Sequence, residues 1–405
     1  MARFLIIVIG LVAFAEVLAG RAAEVTRLTP PAQPVPATLF GMHIHHAQDT
    51  TPWPSVPIPE WRLWDARVAW PNLEPRRGQW NFAILDRELA LAAQHNTSVL
   101  LPLGLSPTWA SMRAAEKSVY QPGNAAAPIS NQDWQNYVTT VVTHCKGRVQ
   151  AYEIWNEPNN KGFWSGTTAE MVNLTREASQ IIHKIDPAAK VVSPSATTTA
   201  GVPWLAGFLA AGGGQYVDII GFHFYVAPQP PEGMLPLIQQ VKNTMNDAGI
   251  GDKPVWNTET GWQAPKPFPP DLAAAYLARA FILSWAAGVQ SFDWYAWDNH
   301  GWVTLFVAMP DNSAPSPAGV AFGVMQRWLV GAVVKGCQRD ANRTWTCETD
   351  RGRNRGWILW NESGNTAFSI PPEWHVNNWM PLLGDRTPLG LSRIQIGQTP
   401  VLVYE

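Results

Sequence analysis

Charged residues are scarce in this chain of 405 residues, since Lys, Arg, Asp and Glu together make up 15% of it. The formal net charge is −2, and no long run of either sign occurs. This balance argues against nucleic acid or an anionic membrane as the partner. Hydrophobic residues reach 46%, which excludes a disordered chain and indicates a well-buried protein. The charge balance fits a neutral substrate better than a charged one.

Cysteine is also rare, with three residues in the whole chain. Cys337 and Cys347 lie ten residues apart around a polar tip, which suits a disulfide across a hairpin and leaves Cys145 as a free, buried thiol. No Cys and His cluster has the spacing of a zinc site, so we expect neither a metal nor another cofactor.

No segment is apolar over the roughly 20 residues that a membrane-spanning helix needs. Residues 4–15 form a short apolar run that follows Arg3, and small residues come after it. This pattern predicts a signal peptide over residues 1–23, cleaved after Ala19 or Ala23, and a secreted or periplasmic protein. An uncleaved N-terminal anchor is the alternative.

Eight short apolar segments alternate with amphipathic ones between residues 38 and 330. Apolar runs of this length are typical of parallel strands that are covered on both faces. The alternation predicts a (β/α)8 TIM barrel over 38–330, in preference to a doubly wound open sheet, for which no Gly-rich dinucleotide loop is present. The predicted strands are 39–45, 60–65, 97–103, 149–155, 189–193, 217–224, 253–258 and 290–297.

The segments that flank the predicted barrel have a different pattern. Residues 24–37 are rich in proline, and we expect a linker there. Residues 331–405 alternate β-rich runs with turns, which predicts a small antiparallel, β-sandwich-like domain. We favour a structural cap over a carbohydrate-binding module, because its strands are few and short. No feature indicates self-association, and we expect a monomer.

Two glutamates directly follow predicted strands four and seven. Glu157 and Glu259 are 102 residues apart, which is the length of three βα units. Because catalytic groups of barrel enzymes lie at the carboxyl ends of the strands, these side chains should face each other across the barrel mouth. A facing pair supplies the acid and the nucleophile, or the base, that glycoside hydrolysis needs.

The segments around both glutamates resemble clan A glycoside hydrolases, and further segments resemble glycoside hydrolase family 39. Residues 154–159 (IWNEPN) are similar to the acid/base motif of the clan, and residues 256–262 (WNTETGW) to its nucleophile strand. The other similar segments are 62–65 (RLWD), 70–80 (WPNLEPRRGQW), 103–111 (LGLSPTWAS) and 223–225 (HFY).

This resemblance implies a retaining glycoside hydrolase that acts on a carbohydrate and needs no cofactor. Glu157 would be the acid/base and Glu259 the nucleophile. Asn156 would bind the sugar 2-hydroxyl, an interaction that strengthens toward the transition state. His223 would lie near the acid/base, and Trp297 would form the floor of the sugar pocket.

The resemblance also implies that Arg62 and Tyr225 hold Glu259 ionised. An arginine inside a barrel mouth needs a carboxylate partner in any case, because an unpaired buried charge is strongly unfavourable. Asp65 and Asp298 are the alternative partners of Arg62.

Aromatic and histidine residues add candidate sugar contacts. Trp109 and Trp262 lie in loops on the catalytic side and could stack on sugar rings, although plain packing explains each of them equally well. His43 or His45 would hydrogen-bond a sugar hydroxyl. The same His-x-His pattern also begins the site of metal-dependent amidohydrolases, but the fifth predicted strand offers no His or Lys to complete such a site.

The family resemblance leaves the substrate open among β-xylosides, α-L-iduronides and secreted polysaccharides. The export signal and the loop aromatics favour an endo-acting enzyme on a secreted polysaccharide, with an exo-acting β-xylosidase-like enzyme as the alternative. A barrel that binds polysaccharide without cutting it is disfavoured, because such a protein would need neither glutamate.

Overall fold

The computed structural model describes residues 25–47, 49–390 and 392–405, and the predicted signal peptide lies outside them. The α-helices are α1 (Trp70–Leu73), α2 (Ala83–Gln94), α3 (Asn131–Cys145), α4 (Thr168–Ile185), α5 (Thr198–Ala210), α6 (Met234–Asp247), α7 (Pro270–Ala286) and α8 (Pro317–Leu329). The first ten strands are β1 (Thr26–Leu28), β2 (Phe40–Met42), β3 (Glu60–Arg62), β4 (Ser98–Leu103), β5 (Ala151–Ile154), β6 (Lys190–Val192), β7 (Ala196–Thr197), β8 (Ile220–His223), β9 (Val255–Thr260) and β10 (Val289–Trp294). The others are β11 (Val333–Arg339), β12 (Thr344–Asp350), β13 (Arg355–Asn361), β14 (Thr366–Ser369), β15 (Asn378–Pro381), β16 (Thr387–Pro388), β17 (Arg393–Ile396) and β18 (Val401–Tyr404).

Strands β2 to β10 form one parallel sheet that closes into a barrel. Neighbouring strands follow the order β6-β5-β4-β3-β2-β10-β9-β8-β7. β6 lies within the predicted fifth strand, whereas β7 lies just beyond its predicted end, and they pair with β5 and β8 respectively. Val192 also bridges to Ile219 across the remaining gap. The ring therefore contains the eight predicted strands, and the predicted TIM barrel is confirmed.

Burial of the barrel strands explains their apolar sequences. Every residue of β5 is buried, and so is every residue of β4 after Ser98. The helices cover the outer face of this ring. At the start of α4, Thr167 and Glu170 form a capping box, in which each side chain accepts a hydrogen bond from the backbone of the other.

The strand–helix alternation is broken once, which differs from the sequence prediction. Residues 43–59 join β2 to β3, and their described part contains no helix. Pro52, Pro54, Pro57 and Pro59 interrupt this segment. Proline lacks the N–H donor that a helix interior requires, so the segment stays irregular.

The C-terminal region forms two antiparallel sheets. The larger has the order β1-β11-β12-β13-β18-β15-β16, and the smaller pairs β14 with β17. A small core that includes Trp357 and Ile394 joins the two sheets. Trp345 and Trp360 belong to the core of the barrel. All three of these tryptophans are buried.

Two expectations about the segments that flank the barrel are wrong. Residues 24–37 are not only a linker, because β1 pairs antiparallel with β11. A strand of three residues is too short to show the alternation of apolar and polar side chains that identifies a strand, and a proline-rich segment follows it. The C-terminal strands are also longer and more numerous than expected, since β11, β12 and β13 have seven residues each.

The predicted disulfide is present. Cys337 and Cys347 lie opposite each other on β11 and β12 and are bonded, whereas Cys145 is a free, buried thiol in α3. Within the described part of the chain, no helix combines the length and the hydropathy needed to cross a membrane.

Candidate active site

Glu157 follows β5 on a backbone that turns sharply. Trp155 has φ 69° and Glu157 has φ 43°, both in the left-handed region. This conformation costs a non-glycine residue about 1–2 kcal/mol, so the surroundings must hold it. The Glu157 N–H donates to the Ser195 carbonyl at 2.9 Å, and Trp155 Nε1 donates to the Phe163 carbonyl at 2.7 Å. A backbone strained and held in this way is typical of functional sites.

Glu259 lies within β9 and accepts two hydrogen bonds through its carboxylate. Arg62 Nη1 donates to Oε2 at 2.8 Å, and the Tyr225 hydroxyl donates to Oε1 at 2.9 Å. Both contacts favour the ionised carboxylate. Asp65 and Asp298, the alternative partners of Arg62, instead accept hydrogen bonds from a tyrosyl hydroxyl and from backbone N–H groups. The prediction that Arg62 pairs with Glu259 is therefore the one that matches the structure.

Arg62 is completely buried, and each of its nitrogens has a partner. Nε donates to Glu153 at 2.6 Å, Nη2 donates to Asn156 Oδ1 at 2.8 Å, and Nη1 also lies 3.0 Å from His43 Nε2. Burial lowers the pKa of Arg62, but the carboxylates of Glu153 and Glu259 raise it well above its ordinary value. One permanent cation thus compensates two buried carboxylates, which would be very unfavourable without it.

The two catalytic candidates approach each other closely. A carboxylate oxygen of Glu157 and one of Glu259 lie within 4.8 Å of each other. His223 Nδ1 is 3.0 Å from Glu157 Oε1 and 3.9 Å from Glu259 Oε1. Retaining glycosidases have carboxyl groups about 5–5.5 Å apart, whereas inverting enzymes need about 6.5–9.5 Å to admit a water molecule. The observed separation fits retention.

The protein environment gives the two glutamates different tendencies to hold a proton. Burial raises the pKa of Glu157 to about 7, so a large fraction carries a proton at neutral pH. Burial also raises the pKa of Glu259, but the charge of Arg62 opposes this effect. Burial lowers the pKa of His223 to about 4, so its ring is neutral. This environment suits Glu157 to donate a proton and Glu259 to attack as an anion.

The His-x-His pattern does not form the metal site of the alternative interpretation. His43 Nε2 faces the Arg62 guanidinium, and Nδ1 lies 3.1 Å from the Trp294 carbonyl oxygen. A nitrogen that faces a guanidinium has no lone pair to offer a second cation. Within the described residues, His223 clusters with the two glutamates and not with His43 or His45. The amidohydrolase alternative is therefore disfavoured.

Three tryptophans predicted to contact sugar are placed differently. Trp262 is fully buried and stacks on Trp294 with ring centroids 5.4 Å apart. Trp297 is 1% exposed and belongs to the core, so neither residue offers a free face. The Trp109 ring has the Arg77 guanidinium over it at 4.8 Å. The sequence did not distinguish loop tryptophans that fill the core from those that face the barrel mouth.

Other aromatic residues line this part of the molecule. The Tyr295 ring lies 5.0 Å from His45, near the place expected for Trp297. Trp302 packs edge-on against Tyr295 at 5.4 Å and against Tyr225 at 5.5 Å. Trp302 is 47% exposed, and no other tryptophan among the described residues is exposed to this extent. Its free face can stack on the apolar side of a sugar ring.

Two residues of this site, Glu153 and Trp302, were missed at the level of sequence, and Asp65 was named only as an alternative partner of Arg62. Glu153 was detectable, because it is the one charged residue in the otherwise uncharged strand 149–155. Trp302 lies in an irregular segment, where no periodicity marks it. Asp65 accepts a hydrogen bond from the Tyr295 hydroxyl at 2.6 Å.

Comparisons with known proteins agree with this geometry. The family model described as glycosyl hydrolases family 39 matches residues 63–297, more than half of the chain. A β-xylosidase of Geobacillus stearothermophilus is 26% identical over 54% of this chain and 49% of its own length. A β-xylosidase of Caldicellulosiruptor saccharolyticus is 31% identical over 28% of this chain and 25% of its own length. The chain therefore spans half or less of the curated relatives it matches.

A solved structure shares the fold. A family 39 glycoside hydrolase from the gut symbiont Bacteroides cellulosilyticus superposes with a TM-score of 0.73 at 18% identity. The superposition covers 91% of this chain and 81% of that one, so it includes the C-terminal sheets as well as the barrel.

The raised pKa of Glu157 predicts the pH dependence of activity. With an aryl β-glycoside, kcat/KM should fall as the pH rises through about 7, because Glu157 loses the proton that it must donate. In Glu157→Gln this basic limb should disappear, when it is measured with a dinitrophenyl glycoside whose leaving group needs no proton. The exposed control variant Glu373→Gln should keep the wild-type profile. A basic limb that persists in Glu157→Gln would assign the titration to another group.

Proposed function

We propose that this chain, which belongs to glycosyl hydrolases family 39, cleaves β-glycosidic bonds with retention of configuration. The separation of the two carboxylates carries this proposal, because oxygens within 4.8 Å leave no room for an attacking water between the sugar and Glu259. The pKa of about 7 at Glu157 supports the same assignment of roles.

In the first step, the Glu259 carboxylate attacks the anomeric carbon while Glu157 gives its proton to the departing glycosidic oxygen. The bond from the anomeric carbon to the leaving group breaks, and an ester bond to Glu259 forms. Glu157 is then an anion. It can hold that charge because His223 Nδ1 is 3.0 Å from its Oε1 and can donate a hydrogen bond to it.

In the second step, Glu157 takes a proton from water as the water oxygen attacks the anomeric carbon. The ester bond breaks, and Glu259 leaves as a carboxylate. Arg62 and Tyr225 donate to its two oxygens at 2.8 and 2.9 Å, so both contacts stabilise the leaving anion. These donors are fixed before reaction and need no reorganisation.

Asn156 is placed to orient the sugar. Its Oδ1 accepts from Arg62 Nη2 at 2.8 Å, which fixes the amide plane and leaves Nδ2 as the donor for substrate. We propose that this donor binds the 2-hydroxyl, where hydrogen bonds strengthen as the transition state forms.

We propose a β-linked neutral saccharide chain as the substrate. The exposed face of Trp302 supports stacking of a sugar next to the reacting one. An exo-acting β-xylosidase is the second candidate, and the similarity to two β-xylosidases favours it. The expectation of endo action stays a prediction, as does that of a monomer.

We also propose that the protein is exported. The apolar run 4–15 after Arg3 supports a signal peptide, and a disulfide between Cys337 and Cys347 is stable in an oxidising compartment. N-terminal sequencing of the protein isolated from its own cells should give a start near residue 20 or 24, and a start at Met1 would contradict cleavage.

Two variants separate the roles of the glutamates. Glu259→Ala should lose at least about 10³-fold in kcat on aryl β-glycosides, and azide should restore turnover to give a glycosyl azide of inverted configuration. Glu157→Ala should keep most of its activity on dinitrophenyl glycosides and lose about 10²–10⁴-fold on substrates with poor leaving groups. Asp271→Ala, at the exposed start of α7, is the control and should keep wild-type rates. If both glutamate variants cleave at wild-type rates, the assignment is wrong.

A further inference from the structure

A cavity of about 190 Å³ lies between the loops that follow β3 and β4. One water needs about 10–15 Å³ of such space, so the cavity has room for a group of many atoms. Polar side chains and the rings of Trp64 and Tyr120 line it together with Asp65. Asn72 and Gln121 are exposed at its rim, and the described structure gives their side chains no hydrogen-bond partner. Free amides beside aromatic faces are the groups that bind sugars.

Asp65 connects this cavity to the neighbourhood of the catalytic glutamates. Its carboxylate accepts hydrogen bonds from Tyr120 on the cavity side and from Tyr295 on the catalytic side. The Tyr295 ring in turn lies 5.1 Å from His43, which contacts Arg62. The cavity is therefore linked to the catalytic residues through Asp65 and Tyr295.

A second connection runs through Trp64. The Arg62 guanidinium, which binds the nucleophile, lies over the Trp64 ring at 5.7 Å, and the same residue lines the cavity. A sugar unit in the cavity would contact a residue that touches the catalytic network directly. This proximity is what a chain of linked sugars requires, because adjacent units are joined through a single oxygen atom.

The charges at the cavity favour a neutral occupant. Arg67 lines it but is paired with Asp49. Asp65 has no cationic partner among the described residues, since both of its hydrogen bonds come from tyrosyl hydroxyls. An anionic sugar would bring a second carboxylate next to Asp65, and like charges at short distance repel. Neutral hydroxyl groups can instead donate to the free lone pairs of this carboxylate.

We propose that this cavity is a second saccharide subsite, which binds a neutral sugar unit of the same substrate chain next to the reacting unit, on the side opposite the leaving group. The inference rests on the proposed glycoside hydrolase function and deepens it. It makes Asn72 and Gln121 residues that determine chain-length preference, and neither touches the reacting bond.

The test compares a short substrate with a long one. The short probe is 4-nitrophenyl β-xyloside, whose single sugar occupies the reacting position, and the long probe is xylotetraose; if wild type cleaves another β-linked sugar faster, the corresponding pair replaces them. Asn72→Trp should fill the cavity and lower kcat/KM on the tetrasaccharide by about tenfold, equivalent to ~1.4 kcal/mol. The kcat/KM on the aryl monoglycoside should stay within about twofold of the wild-type value. Gln121→Ala should act in the same direction with a smaller effect.

Asn342→Trp is the matched control, since this exposed asparagine lies in the hairpin between β11 and β12. This variant should keep the wild-type kcat/KM on both substrates. Unfolding temperatures should confirm that all variants fold. The subsite would be overturned if kcat/KM fell equally on both substrates. It would also be overturned if Asn72→Trp and Gln121→Ala lowered kcat/KM on neither substrate. Absence of wild-type cleavage on every β-glycoside would instead overturn the proposed function itself.

Discussion

A single buried arginine determines how the rest of this site is arranged. Arg62 carries a permanent positive charge at a position that is closed to solvent, and such a charge is stable only with paired carboxylates around it. Glu153 and Glu259 supply them, at 2.6 and 2.8 Å. The same guanidinium fixes Asn156 through a third nitrogen. The orientation of Glu259 and of the Asn156 amide therefore follows from one electrostatic requirement.

The barrel satisfies that requirement by bringing distant segments together. Arg62, Glu153 and Glu259 come from β3, β5 and β9, and their side chains meet because parallel strands point their carboxyl ends to one face. Glu157 follows β5 on a backbone in the left-handed region at Trp155 and Glu157. Burial raises the pKa of Glu157 to about 7, whereas Glu259 keeps a cation beside it. One fold thus gives two chemically identical side chains different environments, as the proposed opposite roles require.

Much of this arrangement could be predicted from the sequence, and the remainder could not for physical reasons. Buried parallel strands must be apolar, so the eight strands were visible as apolar runs, and Glu157 and Glu259 stood out at their ends. The sugar-facing aromatics were not predictable, because Trp262 in the core and Trp302 at the surface both lie in loops without periodicity. The strand β1 was hidden among prolines, since three residues carry too little pattern.

The stereochemistry of the first product tests the central claim most directly. Proton NMR recorded within the first minutes of cleavage of a β-glycoside separates the two anomers before mutarotation mixes them. Carboxylate oxygens within 4.8 Å of each other predict that the β-anomer forms first and that the α-anomer appears only later. If the α-anomer forms first, water attacks directly, and Glu259 is not the nucleophile.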